Sequence, residues 1–513
     1  MDKQIRQLAL GLLVLFLLLF GAVNYVQVFA AERIADDPAN AYRQLLAEYS
    51  VDRGEILAAD GTVLAMSRKS RGPLEYERRY PDGPTYAGIT GFYSLFFGRT
   101  ELEQSFNPFL SADAPELLPQ TISDLVLGRP KRGSSIVTTI EPRLQGLAAS
   151  LVAGMPQGGA IVAMEPSTGD VLAMASNPTF DPNELSSQDP SEVRPAWKRL
   201  NADPDKPLVS RANDELFPPG STFKLVTISA ALEHGYTPNT LIPNPPVLDL
   251  PLTDDTLQNF GGGICPGGSQ IRLADALRLS CNVSFGGIAL DLGPKALANQ
   301  AQAYGFCLND PQESSACLSE PVPFDIPWSQ GRFPEPAYFQ GRDPLLAFAG
   351  IGQDNVSANP LQMALVASAI GNDGSEMLPR LVTEVRDPQG RIVKRYEPRA
   401  WGDPISQQTA AELTQMMVSV TEPGGTAYPS ATIPGIEVAG KTGTAQHGEG
   451  RNPHAWFVSF APADAPQVAV AVIVLDGGSL GSEATGGRIA APLAKQMIEA
   501  CLLYTSPSPR DRS

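Results

Sequence analysis

The sequence predicts an α+β protein, in which helices pack on an antiparallel sheet, behind a membrane helix and a small α+β module. Three observations carry this. Predicted helices and predicted strands fall in separate blocks and do not alternate, the pattern of an α+β domain. A solid apolar run lies at the N-terminus, between Arg6 and Glu32, with no charged residue inside it. Finally, 513 residues with 43% hydrophobic and 18% charged content suffice for two or three domains with a sizeable core.

The N-terminal run fixes the compartment. Residues 8–28 include Leu12-Leu13-Val14-Leu15-Phe16-Leu17-Leu18-Leu19-Phe20, long enough to span a bilayer as a helix. Lys3 and Arg6 precede it, whereas Glu32, Asp36 and Asp37 follow. The positive-inside rule then places residues 1–7 in the cytoplasm and the bulk of the chain outside. The rival is a signal peptide cleaved after Val28-Phe29-Ala30; the length of the run favours an uncleaved anchor. A net charge of −17 argues against nucleic acid as a partner.

Residues 29–156 read as the small module. Pro38 to Tyr49 suggests a short helix. Arg53 to Leu57 and Val63 to Ala65, joined at Asp60-Gly61, suggest a hairpin. Arg68, Lys69, Arg71, Arg78 and Arg79 read as a solvated basic face. A helical patch around Leu117 to Leu127, a strand at Val137 to Ile140 and a helix from Pro142 to Met155 complete it. A second domain, residues 157–500, opens with strands Ala160 to Met164 and Val171 to Ala175. Helices are expected at Leu225 to His234, across Leu273 to Leu292 with a break at Ser280-Cys281-Asn282, and at Pro360 to Gly371. Arg380 to Val385 and Arg391 to Tyr396 form a hairpin around Asp387 to Gly390. A helix from Gln407 to Thr421 precedes strands at Ile436 to Ala439, His454 to Ala461 and Val468 to Leu475. Residues 236–270 and 308–345 are Pro-rich and loop-like, and a helix from Ile489 to Ala500 closes the domain. Residues 501–513, beginning Cys501-Leu502-Leu503-Tyr504-Thr505, read as a translated transposon-type sequencing adapter and are set aside; a disordered Ser/Pro tail is the plainer alternative.

Of the remaining cysteines, Cys307 and Cys317 flank a short loop and could pair. Cys265 and Cys281 are less obviously partnered, and free thiols fit the sequence equally well. His447 and His454, with Glu449 between them, invite a metal reading. Three histidines in the whole chain are too few to support it.

Chemistry concentrates in Phe217-Pro218-Pro219-Gly220-Ser221-Thr222-Phe223-Lys224. The prolines stop just before a helix, so Ser221 should open it and Lys224 should lie one turn on, along the same side. A serine hydroxyl needs a base, and a lysine serves once burial or nearby positive charge lowers its pKa. Free N–H groups at a helix start suit a developing oxyanion. Ser280-Cys281-Asn282 offers a hydroxyl for proton relay and a carboxamide for a peptide carbonyl. Lys441-Thr442-Gly443-Thr444 supplies charge and hydroxyls suited to a carboxylate, with Gly443 allowing a ligand backbone to approach closely. Each motif alone is ordinary: a capping serine with a solvated lysine, a helix-boundary pair, an exposed strand end.

Together they give S-x-x-K, S-x-N and K-T-G in order, and the chain resembles the penicillin-recognising serine enzymes. The anchor, Arg53-Gly54-Glu55-Ile56, Asn177-Pro178-Thr179-Phe180-Asp181-Pro182-Asn183 and Ile351-Gly352-Gln353 resemble class B penicillin-binding proteins. Thr90-Gly91-Phe92-Tyr93-Ser94 and His454-Ala455-Trp456-Phe457 are similar to the actinobacterial penicillin-binding protein A subgroup. The resemblance implies a penicillin-binding protein/β-lactamase-like fold and a peptidoglycan D,D-transpeptidase. Ser221 would be the nucleophile, Lys224 its base, Ser280 the proton relay and Asn282 the donor-positioning group. Lys441, Thr442 and Thr444 would hold the terminal carboxylate, and the Ser221 and Thr444 N–H groups would form the oxyanion hole. Implied ligands are D-Ala-D-Ala stem peptides, an acceptor amine and β-lactams. A membrane glycosyltransferase and other division or elongation proteins are the implied partners; neither metal nor organic cofactor is implied. A serine β-lactamase is the first rival, but the glutamate that class A enzymes use to activate water has no counterpart motif here. A penicillin sensor would need more membrane segments, and a divisome scaffold could coexist with catalysis.

Overall fold

The computed structural model describes residues 2–26, 48–72, 74–118, 126–312, 317–448 and 450–505. Most of the helix expected from Pro38 to Tyr49, and the middle of the one expected from Leu117 to Leu127, lie outside the described residues. The chain starts with a helix over Asp2–Asn24. Its Lys3–Asn24 stretch has a mean hydropathy of 2.2 and buries none of it against the rest of the protein, which makes it a candidate membrane anchor.

A six-stranded sheet follows. Its order is Ile392–Arg395, Val382–Arg386, Ser135–Thr138, Ile56–Leu57, Val63–Lys69 and Tyr76–Arg79. The hairpin expected around Asp387 is therefore present, but its partner is Ser135–Thr138, with Arg386 opposite Ser135. This sheet takes strands from both sides of residue 157, where the sequence suggested a division. Next to it, Arg78 departs from the solvated face expected of the basic run. It is 1% exposed and shares the Glu103 carboxylate with Arg53, at 2.6 and 2.7 Å. The reason is long-range: Tyr76–Arg79 pairs with Val63–Lys69 and turns alternate side chains inward, so a buried glutamate needs both guanidiniums.

The second sheet is five-stranded and antiparallel, ordered Ala439–Ala445, His454–Ala461, Val468–Val474, Gly159–Met164, Val171–Asn177. Val468–Val474 is apolar throughout because both faces are covered. Ala469, Ala471 and Ile473 join the core that contains helices Lys224–Glu233 and Pro360–Gly371. Val468, Val470 and Val472 join the opposite core, against Pro142–Ala153 and Ala491–Thr505. The latter helix runs past residue 500 and buries Cys501 and Leu502. The single-sequence reading of 236–270 as loop misses four short strands, which pair as Leu241–Pro243 with Gln270–Arg272 and Val247–Asp249 with Thr256–Gln258.

Candidate active site

Pro218-Pro219-Gly220 sets up the turn that presents Ser221. Gly220 has φ +53°, and a Cβ there would lie 3.0 Å from Ala445 Cβ and from the Thr444 carbonyl oxygen. Its N–H donates to the Gly352 carbonyl at 2.9 Å, which pins the turn to the Ile351-Gly352-Gln353 segment. Here the expectation needs correcting. Ser221 lies in a 3₁₀ turn over Gly220–Thr222, and the α-helix begins only at Lys224. The left-handed glycine and the Thr222 Oγ1 bond back to the Pro219 carbonyl, at 2.7 Å, favour the tighter turn.

The second motif sits where two helices meet, Leu273–Leu279 and Asn282–Ala303. Ser280 ends the first in the left-handed region at φ +60°, so the chain reverses and Ser280 and Asn282 both face Lys224. Lys224 Nζ donates to the Ser280 carbonyl and to Asn282 Oδ1, each at 2.8 Å, and lies 3.3 Å from Ser280 Oγ. No hydrogen bond joins Lys224 to Ser221 among the described residues. Asn282 Nδ2 donates to the Gln258 carbonyl at 3.0 Å, so the carboxamide expected to meet a ligand is engaged at both ends. The middle residue, Cys281, is bonded to Cys265, the pair without an obvious partnership in sequence; Cys307 is bonded to Cys317.

The third motif lies on Ala439–Ala445, the edge strand of the five-stranded sheet, next to the Ser221 turn. Lys441 is fully buried. Its Nζ donates to Ser280 Oγ and to the Thr442 carbonyl, both at 2.8 Å, so it lies under Ser280 and not at the cleft surface. Alternation puts Thr442 and Thr444 on the cleft side, where Thr442 Oγ1 is 2.7 Å from Thr426 Oγ1. Gly443 is required by the protein itself: a Cβ would lie 3.0 Å from the Pro219 carbonyl, Thr222 Cγ2 and Trp456 Cβ. The Ser221 turn itself approaches the strand closely here.

Two lysines thus converge on one serine hydroxyl. Burial, and then the charge of Lys441, hold the Lys224 amine well below the ordinary lysine range. Burial pushes Lys441 down to about 7. A neutral Lys224 amine has two N–H donors, and the Ser280 carbonyl and Asn282 Oδ1 use both. Its lone pair is left to accept a proton. Ser280 Oγ lies within reach of both amines. The cleft above has a volume of about 700 Å³ and is lined by Ser221, Ser280, Asn282, Thr442 and Thr444, with no carboxylate among the described lining residues. Gln258, Asn259, Gln353, Thr426, Gln446 and Thr485 also line it. None was singled out from sequence as a site residue. Only Gln353 carried a signal, as part of Ile351-Gly352-Gln353.

His447 and His454 do meet, with Asp476 as the third group among the described residues; Glu449 lies outside them. Their candidate ligand atoms lie within 4.8 Å of one another. The two rings are stacked 3.6 Å apart at 10°. A zinc ion at about 2.1 Å from a nitrogen of each would sit far out of both ring planes, so the lone pairs do not converge on it. His447 Nε2 is 2.8 Å from Asp476 Oδ1, and burial holds His454 down at about 3, neutral, accepting the Asp476 N–H on Nδ1.

Comparison with known proteins places these features in context. Residues 159–499 match the family described as penicillin binding protein transpeptidase domain, and residues 53–136 match the penicillin binding protein A dimerisation domain. The chain is 40% identical over 509 residues to the peptidoglycan D,D-transpeptidase PbpA of Mycolicibacterium smegmatis, covering 98% of this chain and 99% of that one. It is 38% identical over 512 residues to the PbpA of Mycobacterium tuberculosis, again covering 98% and 99%. The ceftriaxone acyl-enzyme structure of penicillin-binding protein A from M. tuberculosis superposes with a TM-score of 0.82 at 37% identity, covering 89% of this chain and all of that one. Its penicillin G acyl-enzyme gives 0.80 at 37% identity, over 88% of this chain and all of that one. With a motif-bearing cleft of this geometry and a family match over most of its length, the chain belongs to the penicillin-binding protein transpeptidases.

Proposed function

We propose that the chain is a membrane-anchored peptidoglycan D,D-transpeptidase that cross-links stem peptides through an acyl-enzyme on Ser221. The observation that carries the residue assignment is the convergence of Lys224 and Lys441 on Ser280, with Asn282 holding the Lys224 amine, beside the Ser221 turn. In this reading Ser221 Oγ attacks the carbonyl between the two terminal D-alanines, and its proton passes to the Lys224 lone pair. The N–H groups of Ser221 and Thr444 receive the oxyanion. The C–N bond then breaks. The departing D-alanine nitrogen takes a proton through Ser280, which Lys441 can resupply. Thr442 and Thr444 donate their hydroxyl protons in hydrogen bonds to the terminal carboxylate, and Lys441 contributes its charge from beneath. An amine of a neighbouring stem peptide attacks the ester, releases Ser221 and forms the cross-link.

β-Lactams enter the same sequence as donor mimics and leave an acyl-serine. The absence of a carboxylate from the described cleft lining supports slow hydrolysis of that ester, and so a transpeptidase over a β-lactamase. The Asp2–Asn24 helix anchors the chain with its N-terminus in the cytoplasm and the cleft outside. A membrane glycosyltransferase and other division or elongation proteins are the partners this reading implies. Fluorescent penicillin tests the assignment: the wild type should be labelled and Ser221→Ala should not. Equal labelling of both would remove Ser221 as the nucleophile.

A further inference from the structure

A second cavity, of about 270 Å³, lies between the Ala87–Glu101 segment and the Ser176–Ser210 segment, and shares no lining residue with the cleft of Ser221. Its walls are aromatic. Phe97 stacks on Trp197 at 4.3 Å, and Phe92 meets Trp197 and Phe180 edge-on at 6.0 and 6.2 Å. Glu101 is the one carboxylic residue among the lining residues, and it is half-buried. Its Oε2 is buried and has no hydrogen-bond partner, and the residue is held at φ +48°. No cation pairs with Glu101 among the described residues. The helix that carries Trp197 bears Arg194, Lys198 and Arg199, but Arg194 lies over Phe96, Lys198 is exposed and outside the cavity lining, and Arg199 pairs with Glu184. Asp214 adds a second negative charge close enough to act on Glu101, and its own described partner is the neutral Ser329 hydroxyl.

An anion would find no cation among the lining residues, and the charge of Asp214 opposes it. A purely apolar guest would leave the buried Oε2 unsatisfied. A cation on an apolar stem answers both demands, because it donates to the carboxylate and lies against the faces of aromatic rings. The volume falls just under the range of about 300–1,000 Å³ usual for ligand pockets, which restricts the guest to a small group. We propose that this cavity binds a primary ammonium group carried on a short apolar stem. Burial and Asp214 push the free Glu101 carboxyl up to about 8, so the guest's charge also draws the carboxyl to its ionised form. One wall comes from the region that matches the dimerisation domain and the other from the region that matches the transpeptidase domain, so an occupant would bridge them. The proposal stands apart from the acylation chemistry, since none of its residues acts there.

The test titrates the full chain in detergent with benzylamine and with its neutral analogue benzyl alcohol, following binding by calorimetry. Both titrations are repeated after penicillin G has blocked the cleft. The amine should bind about tenfold more tightly than the alcohol, before and after blocking. Glu101→Gln, which keeps the side-chain shape, should bring the two to within about twofold. Its labelling by fluorescent penicillin should match wild type, which separates this site from Ser221. The wild-type comparison is decisive by itself, whether or not the variant folds. Equal affinity for amine and alcohol, no binding of either, or loss of amine binding on blocking the cleft would each overturn the proposal, as would an unaltered preference in a folded Glu101→Gln.

Discussion

Replacing Lys224 by arginine separates a base from a mere positive charge. Lys224 Nζ donates at 2.8 Å to two fixed oxygens, the Ser280 carbonyl and Asn282 Oδ1. An arginine could keep donating to oxygens there, but it cannot give up its proton and so offers no lone pair. Loss of general-base help costs about two to four orders of magnitude in rate, or about 3–5 kcal/mol of activation free energy. Lys224→Arg should therefore acylate about 10²- to 10⁴-fold more slowly with a β-lactam and with a neutral activated ester alike. Lys224→Ala should be equally slow. It also leaves the two oxygens without their donor, at about 1–3 kcal/mol each, so its fold must be checked by thermal melting. Lys441→Ala should behave differently. Lys441 acts on Ser280 and on the local charge, so capture of carboxylated ligands should weaken while Ser221 stays reactive toward the neutral ester. Stopped-flow acylation of each variant with both reagents decides the matter. If Lys224→Arg acylates nearly as fast as wild type with both, the proton goes elsewhere and the mechanism above is wrong.

Three further outcomes are expected. Gly443→Ala places a Cβ 3.0 Å from the Pro219 carbonyl and from Trp456, so the strand and the Ser221 turn must part; the variant should lose about 1–3 kcal/mol in stability and most of its penicillin labelling, and wild-type labelling would show that the turn can give way. Glu376 is fully buried with both carboxylate oxygens unpartnered, and burial pushes it up to about 8 from 4.5. The folded chain keeps that proton over a pH range in which the unfolded chain has lost it, so this group's contribution falls as pH rises from 4.5 to about 8, by up to about 1.4 kcal/mol per pH unit. Glu376→Gln should remove that fall; parallel melting-temperature curves for wild type and variant between pH 5 and 8 would contradict it. Lastly, protease added to intact spheroplasts should digest the domain that carries Ser221, and its protection would reverse the proposed orientation.

What the sequence made legible was local. Ser221 and Lys224 are three residues apart, and Ser280 and Asn282 two apart, so their spacing speaks directly. The anchor is likewise a property of one uninterrupted run. The chemistry between motifs was not legible. That Lys441 reaches Ser280 depends on a strand and a helix junction 161 residues apart in sequence. Arg78 looked solvated because its partner, Glu103, is 25 residues away and becomes buried only when Tyr76–Arg79 joins a sheet. Gly443 was read as a place of close approach to a ligand; that the Ser221 turn also presses on it was not legible, since a tetrapeptide does not say what faces it. Cys265 and Cys281 gave no sign of pairing for the same reason: Cys265 lies in a Pro- and Gly-rich stretch that has no period to say what it faces.

The six-stranded sheet has a consequence in time. Ser135 pairs with Arg386, so one edge of Ser135–Thr138 has no strand to meet until about 250 more residues have been made. At roughly 5–20 residues per second, synthesis alone imposes a wait of about 12–50 s. During that interval an unpaired strand edge is an open template for wrong partners. The Val382–Arg386 and Ile392–Arg395 hairpin is the piece that closes it. A chain interrupted anywhere before residue 382 would be left with an adhesive edge, however complete its first 150 residues. Cell extracts in which synthesis stalls between residues 150 and 380 should therefore yield aggregated or chaperone-bound chains, and release past residue 395 should return them to solubility.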